Sequence, residues 1–421
     1  MTGFNIRRII PPVIQSAYSR VVSGGWVYLM FVGIFGLLLL AGIASGIHAL
    51  FIAGSRHAYG TYREVPVAML IATYVFFVVA STGLCLVSSL PHLFGVRNFM
   101  PIAKRSVYLS IITILSGFLV IGLEIENPFR MVIYNVISPN FSSNIWWMGT
   151  LYGFALVFLT IEFIFLIKEE KHTKAMIVCL LGVITEVAAN TNLGGVFAMM
   201  HGRPYWYGPY LPVYFLLSAI MTGCAFILFF FVLSYWINKK TIDLQTQEAL
   251  ESVGKLAILM LVIITILTVW KILATFVGGA SGTEALAALL SGPYAFNFWG
   301  IEVIGGIIIP FVLLLMSKAK NMMIMFVAAA FMIFSIFFMR LDLVVVGQIV
   351  PLYLELGVSE YSRLHTYIPS VHEILVVLGG VGFCGMAFLL GEKIFNGFQP
   401  MGSGHAPEET IVEVKKAEEA T

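Results

Sequence analysis

Charge is scarce in this sequence. Only 11% of its 421 residues are Asp, Glu, Lys or Arg, against roughly 25% in soluble domains. A water-soluble globular chain is excluded on that ground. Cysteine is also rare. Cys85, Cys179, Cys224 and Cys384 stand in separate apolar runs with no CxxC pair. That pattern excludes a disulfide framework and an iron–sulfur cluster motif. Paired histidines are missing as well. His48, His92 and His372 fall one to a run, with His201 just outside, whereas haem in a membrane helix bundle needs two axial ligands. The expectation is no haem or iron–sulfur cluster in this chain. A cleavable signal is absent too: Arg7 and Arg8 precede a long first apolar run, and no small-residue cleavage site follows a short one.

Apolar runs dominate instead. Hydrophobic residues make up 59% of the chain, and many runs reach the roughly 20 residues that a membrane helix needs. Ten spans are expected: 26–53, 64–94, 105–127, 144–167, 175–200, 211–237, 253–279, 297–317, 321–348 and 369–396. The fold class is therefore an all-α polytopic integral membrane protein. A cytoplasmic segment (1–25) precedes the transmembrane domain (26–396), and a polar, flexible cytoplasmic tail (397–421) follows it. With the N-terminus inside, seventeen Lys and Arg fall on the inner side and five on the outer. That bias places both termini in the cytoplasm.

Buried polar groups cost free energy unless they are paired or used. The stretch 185–214, TEVAANTNLGGVFAMMHGRPYWYGPYLPVY, concentrates such groups at a helix end and follows them with an aromatic loop. It reads either as a pocket at one membrane face or as Gly and Asn packing beneath an interfacial aromatic belt. Glu186 falls near mid-membrane and Glu162 toward the inner side. Glu124 and Glu126 close the third span at the outer face, near Arg130. Lys271, Glu302, Arg340, Asp342, His372 and Glu373 lie in the outer parts of their spans or at the outer boundary. Pairing Lys271 or Arg340 with Glu302 or Glu373 would satisfy some of them. Quinone chemistry requires an apolar slot, hydrogen bonds to the carbonyls and groups that exchange two protons. Two outer sets qualify: Tyr74, Glu124, Arg130, Asn190 and His201 in the first half, and Glu302, Arg340, Tyr367, His372 and Glu373 in the second. A secondary transporter is the alternative function, since buried charges and Gly-rich helices suit one too. Glu186 and Glu162 also suit a proton relay toward the cytoplasm.

Five segments then resemble one family. GLEIENPFRMVIY carries Glu124, Pro128 and Arg130. NTNLGGVFAM leads to PYWYGPYLPVYFLLSAIMTG. FNFWGIEVIGGIIIPF carries Glu302, FFMRLD carries Arg340, and YIPSVHEILV carries Tyr367 and Glu373. Their order and placement resemble the NrfD/PsrC family, the membrane subunits of polysulfide-reductase-like respiratory complexes, and in particular its long ten-span members of the HybB, DsrP and QrcD types. The resemblance implies two four-helix bundles plus extra helices in a prokaryotic cytoplasmic membrane. It implies menaquinone or another quinone as substrate. It also implies an iron–sulfur partner on the outer face that connects to a catalytic or multihaem cytochrome c subunit. The outer loops 128–143, 201–210 and 349–368 would receive that partner, with Trp206 and Tyr207 as anchors. Glu124, His201 and their neighbours would hold the quinone.

Overall fold

A computed structural model describes residues 18–54, 58–168, 172–356, 364–395 and 398. The N-terminal segment up to residue 17, residues 357–363 of the third outer loop and all of the expected tail except Phe398 lie outside the described residues. Among the described residues, ten helical spans are long and apolar enough to cross a membrane. They are built from α1 (Trp26–His48, with a π turn Ala49–Ala53), α2 (Met69–Leu93), α3 (Met100–Gly122), α5 (Asn144–Lys168), α6 (His172–Ala198), α7 (Tyr210–Ile237), α8 (Leu244–Phe276), a π segment Phe296–Ile308 continued by α10 (Ile309–Met316), α11 (Met322–Ile349) and α12 (Val371–Ile394). Two shorter helices, α4 (Pro128–Ile137) and α9 (Gly279–Leu290), lie between spans. Among the described residues the only strand-like feature is one isolated bridge between Tyr62 and Val65. The chain is thus an all-α polytopic membrane protein.

Local chemistry sets several boundaries. The seventh span starts at Leu244, not 253, because Asp243 caps it by accepting the Thr246 amide at 2.9 Å. Asn321 caps α11 by accepting the amides of Met323 and Ile324. The third span stops at Gly122, so Glu124 and Glu126 fall in the turn before Pro128 opens α4.

Helix α2 is the centre of the assembly and packs against α3, α6, α7 and α11. In lipid the hydrophobic effect does not drive helices together, so close backbone approach through small residues does. Gly83 of α2 and Gly223 of α7 face each other, and a Cβ on either would overlap the other helix's backbone. Helix α12 packs along α1 and α3. Its Gly379 lies against Gly42 with no room for a Cβ on either. This antiparallel contact carries His48 up to His372, whose ring nitrogens stand 3.1 Å apart.

Candidate functional site

A cavity of about 570 Å³ opens at the end of the bundle that the charge bias assigns to the outer face, lined by Tyr59, Thr61, Tyr62, Arg63, Pro66, Glu124 and Glu126. The turn after α3 puts Glu124 into its wall, where Oε2 is buried without a hydrogen-bond partner among the described residues. Burial, followed by the nearby Glu373 carboxylate, pushes the Glu124 carboxyl up to about 8. Glu373 is satisfied by contrast. Its Oε1 accepts the Tyr367 hydroxyl at 2.8 Å, and its Oε2 accepts the amides of Gly60 at 2.9 Å and Ser370 at 2.7 Å. Ser370 returns the bond to the Glu373 amide and closes a capping box on α12. Gly60 is required there, because a Cβ would overlap the Ile368 carbonyl. Tyr59 donates to the Leu123 carbonyl next to Glu124. Burial, then Glu124 and Glu373, raise the Tyr59 phenol well above its ordinary value.

Deeper in the protein, Glu186 of α6 is fully buried. Its Oε1 accepts Ser81 Oγ at 2.7 Å and its Oε2 accepts Thr82 Oγ1 at 2.7 Å. Ser110 of α3 lies 2.7 Å from the Ser81 hydroxyl. Two hydroxyls thus satisfy the Glu186 carboxyl, and among the described residues no cation is hydrogen-bonded to it. Tyr74 and Tyr152 lie within electrostatic reach of Glu186. Asn190, one helical turn along α6, is buried with both amide atoms unpartnered among the described residues, and the Tyr152 hydroxyl lies by Thr82. Farther along the bundle Glu162 is buried beside the Cys179 thiol, which is within hydrogen-bonding reach. Cys85 lies within reach of both acids.

A third cluster joins Lys271 of α8, Glu302 of the π segment, and Arg340 and Asp342 of α11, all of them buried. The Lys271 ammonium sits over the rings of Tyr205 and Tyr214, 5.4 and 5.6 Å from their centroids. Arg340 donates to Ser218 Oγ at 2.6 Å and lies 4.8 Å over the Phe215 ring. Asp342 Oδ1 accepts from Asn297 at 3.1 Å. Both oxygens of Glu302 lack a hydrogen bond. The expected pairing of Lys271 or Arg340 with Glu302 or Glu373 is therefore not a hydrogen-bonded ion pair. Rings and hydroxyls hold the two cations instead.

The two outer sets expected from the sequence do not stay together. Of the first, Tyr74 and Asn190 join Glu186 inside the bundle, while Glu124 faces the outer cavity. Arg130 is exposed and lies over the Tyr134 ring. His201 is exposed, its ring tilted 36° against that of Tyr207 with centroids 4.5 Å apart. Of the second set, Glu302 and Arg340 share the third cluster. Tyr367 and Glu373 stand instead beside Glu124, because α12 packs on α1 and α3. His372 pairs with His48.

The structure corrects the role expected of Trp206 in the loop after Ala198. Trp206 is only 2% exposed and donates to the Leu343 carbonyl at 2.7 Å. It packs on Gly347, where any Cβ would overlap its ring, so it is a core residue and not an exposed anchor. Arg203 binds the Gln348 and Val350 carbonyls, and burial lowers its guanidinium. These bonds fasten the loop to the end of α11. The cavity beneath it holds about 10 Å³, roughly one water. Tyr207 remains 48% exposed.

Sequence reading missed Ser81, Thr82 and Tyr152, whose polarity is routine within a helix until an acid is placed opposite. It also missed Tyr59, Tyr62 and Arg63. Their signal was a polar-aromatic stretch, AYGTYREVP, just before the second span. The four cysteines are free and buried. Among the described residues no group of three His, Cys, Asp or Glu is placed to hold a metal ion.

The family described as Polysulphide reductase, NrfD matches residues 57–351. An Hdr-like menaquinol oxidoreductase integral membrane subunit of Archaeoglobus fulgidus is 23% identical over 372 residues, covering 85% of this chain and 92% of its own. A selenate reductase subunit of Mesobacillus selenatarsenatis is 22% identical, covering 76% of this chain and 82% of its own. A putative dimethyl sulfoxide reductase membrane subunit of Halobacterium salinarum is 22% identical, covering 90% and 92%.

Proposed function

The chain belongs to the NrfD polysulphide reductase family, and on that premise we propose that it is the quinone-reactive membrane subunit of a respiratory oxidoreductase complex. It exchanges electrons between the menaquinone pool and an iron–sulfur subunit docked on the outer face of a prokaryotic cytoplasmic membrane. Further catalytic or multihaem cytochrome c subunits complete the electron path. The single observation that carries this reading is the burial of the Glu124 carboxyl in the wall of the outer cavity, its Oε2 without a hydrogen bond among the described residues. A carboxyl with a value near 8 is suited to exchanging protons at neutral pH. The relatives support the substrate class, one of them being a menaquinol oxidoreductase subunit by name.

In this reading the quinone head group enters the cavity beside Tyr59 and Tyr62, whose hydroxyls are bonded to the Leu123 and Thr366 carbonyls, and the Arg63 guanidinium donates to a quinone carbonyl. Oxidation of the quinol releases two electrons and two protons. Glu124 in its ionised form accepts one proton, water in the open cavity takes the second, and the two electrons leave toward the docked partner. Reduction runs the same exchange in reverse. The partner rests on α4, none of whose residues is buried, and on Tyr207. Phe129, Val136 and Ile137 of α4 are each exposed by two thirds or more, an apolar face suited to interface burial. Glu186 and Glu162 form the relay that carries protons toward the inner face. The site assignment is tested by comparing quinol oxidation in Glu124→Gln and Glu302→Gln complexes. Loss of turnover only in the first supports it, and loss only in the second moves the site to the third cluster.

A further inference from the structure

A second and larger cavity, about 880 Å³, opens at the other end of the protein. It lies where α2, α3, α7 and α8 reach the inner side. Its wall carries four cations, Arg97, Lys104, Arg105 and Lys240. Arg97 comes from the turn between α2 and α3, Lys240 from the turn between α7 and α8, and Lys104 and Arg105 from the start of α3. The short 3-10 turn Arg97–Phe99 packs against α8, which brings the two connections together. Arg105 is held as the back wall. Its Nε lies 2.9 Å from Glu392 Oε1, and its guanidinium stands 5.0 Å over the Tyr235 ring.

Two acids also line the cavity, Asp243 and Glu248. Among the described residues, neither forms an ion pair with Arg97 or Lys240. The Asp243 carboxylate is committed to the Thr246 amide at 2.9 Å and the Tyr235 hydroxyl at 3.2 Å. With Arg105 paired to Glu392, three cations, Arg97, Lys104 and Lys240, face these two acids, which leaves the cavity with net positive charge. Large apolar side chains stand exposed at the same level: Phe94, Met100, Trp236 and Leu244 are exposed by 71, 42, 58 and 70%. A cationic floor under an apolar rim at helix ends is the chemistry that takes a lipid phosphate together with the start of its acyl chains. A free anion would make no use of that rim.

We propose that this cavity binds the headgroup of an anionic phospholipid from the inner leaflet, with Arg97 and Lys240 on its phosphate and the acyl chains along Met100, Trp236 and Leu244. The bound lipid ties the two inner connections to each other. This inference is independent of the quinone site.

The test uses the full chain, purified and stripped of lipid. Phosphatidylglycerol or phosphatidylcholine with identical acyl chains is added, retention is read by native mass spectrometry, and the melting temperature is read in parallel. Inorganic phosphate at matched concentration forms a third arm. One phosphatidylglycerol should be retained and raise the melting temperature, while phosphatidylcholine and phosphate should do neither. Each basic residue near an anionic membrane surface strengthens binding about fivefold, so Arg97→Gln with Lys240→Gln should cut retention on the order of tenfold or more. Arg97→Lys with Lys240→Arg should keep it. Equal retention of the two lipids overturns the proposal, as does an equal shift with phosphate alone or unchanged retention in the glutamine double variant. Where that variant fails to fold, the wild-type comparison of the two lipids decides.

Discussion

Glu373 stands beside Glu124 at the outer end of the protein, and the two acids are treated in opposite ways. Glu373 accepts three hydrogen bonds, from Tyr367, Gly60 and Ser370. Glu124 has its buried oxygen facing none. The satisfied acid builds the helix cap, and its charge helps burial keep the proton on its neighbour.

Glu124 sets the first prediction. With its carboxyl at about 8, it is mostly protonated at pH 7, and its ability to accept a proton grows as pH rises. Quinol oxidation should climb with an inflection near pH 8. In Glu124→Gln that inflection should vanish and the rate should fall about a hundredfold, the lower range for loss of a general base. A retained inflection assigns the titration to another group.

The same shift bears on stability. The folded-state value lies above the ordinary 4.5. The stabilising contribution is therefore full below pH 4.5 and lost as pH rises through about 8. Measured between pH 5 and 9, the melting temperature of the wild type should fall relative to Glu124→Gln. Parallel curves would contradict the assignment.

Thr82→Val removes one of the two hydroxyl donors to Glu186 and leaves its Oε2 unpartnered. The expected cost is about 1–3 kcal/mol of stability, read from the thermal midpoint in detergent. Glu186→Gln should leave assembly intact and slow any charge movement linked to turnover. Full charge movement in that variant removes Glu186 from the relay.

Trp206 and Tyr207 separate core from surface. Trp206→Ala should cost about 3–5 kcal/mol, as large core truncations do, because the ring is buried and its Nε1 is bonded to Leu343. Tyr207→Ala should leave stability unchanged and weaken copurification of the outer-face partner. A Tyr207→Ala complex that survives high salt at full yield would remove that residue from the interface.

The ten spans were legible because lipid demands long apolar helices, and length with composition is enough to see them. Helix ends were less legible: α8 begins within a polar stretch, and only the Asp243 cap marks the start. The acids of the site were visible, since an ionisable residue in an apolar run stands out. Their groupings were not. Depth along a helix can be read from sequence, but the neighbour cannot. Tyr367 and Glu373 were set beside Arg340 by chain order, whereas the Gly42–Gly379 contact carries α12 to the other side, next to Glu124. Trp206 misled for a related reason. An aromatic residue in a loop reads as exposed until a glycine on another helix, here Gly347, opens a place for it.

The central claim is that the quinone head group occupies the outer cavity at Glu124. The most direct measurement is photolabelling of the complex in vesicles with a photoreactive menaquinone analogue, followed by peptide mapping with unlabelled menaquinone as competitor. Competed label should fall on residues 59–66 and 124–126. Competed label around Lys271, Glu302 and Arg340, or no label that menaquinone displaces, would contradict the account.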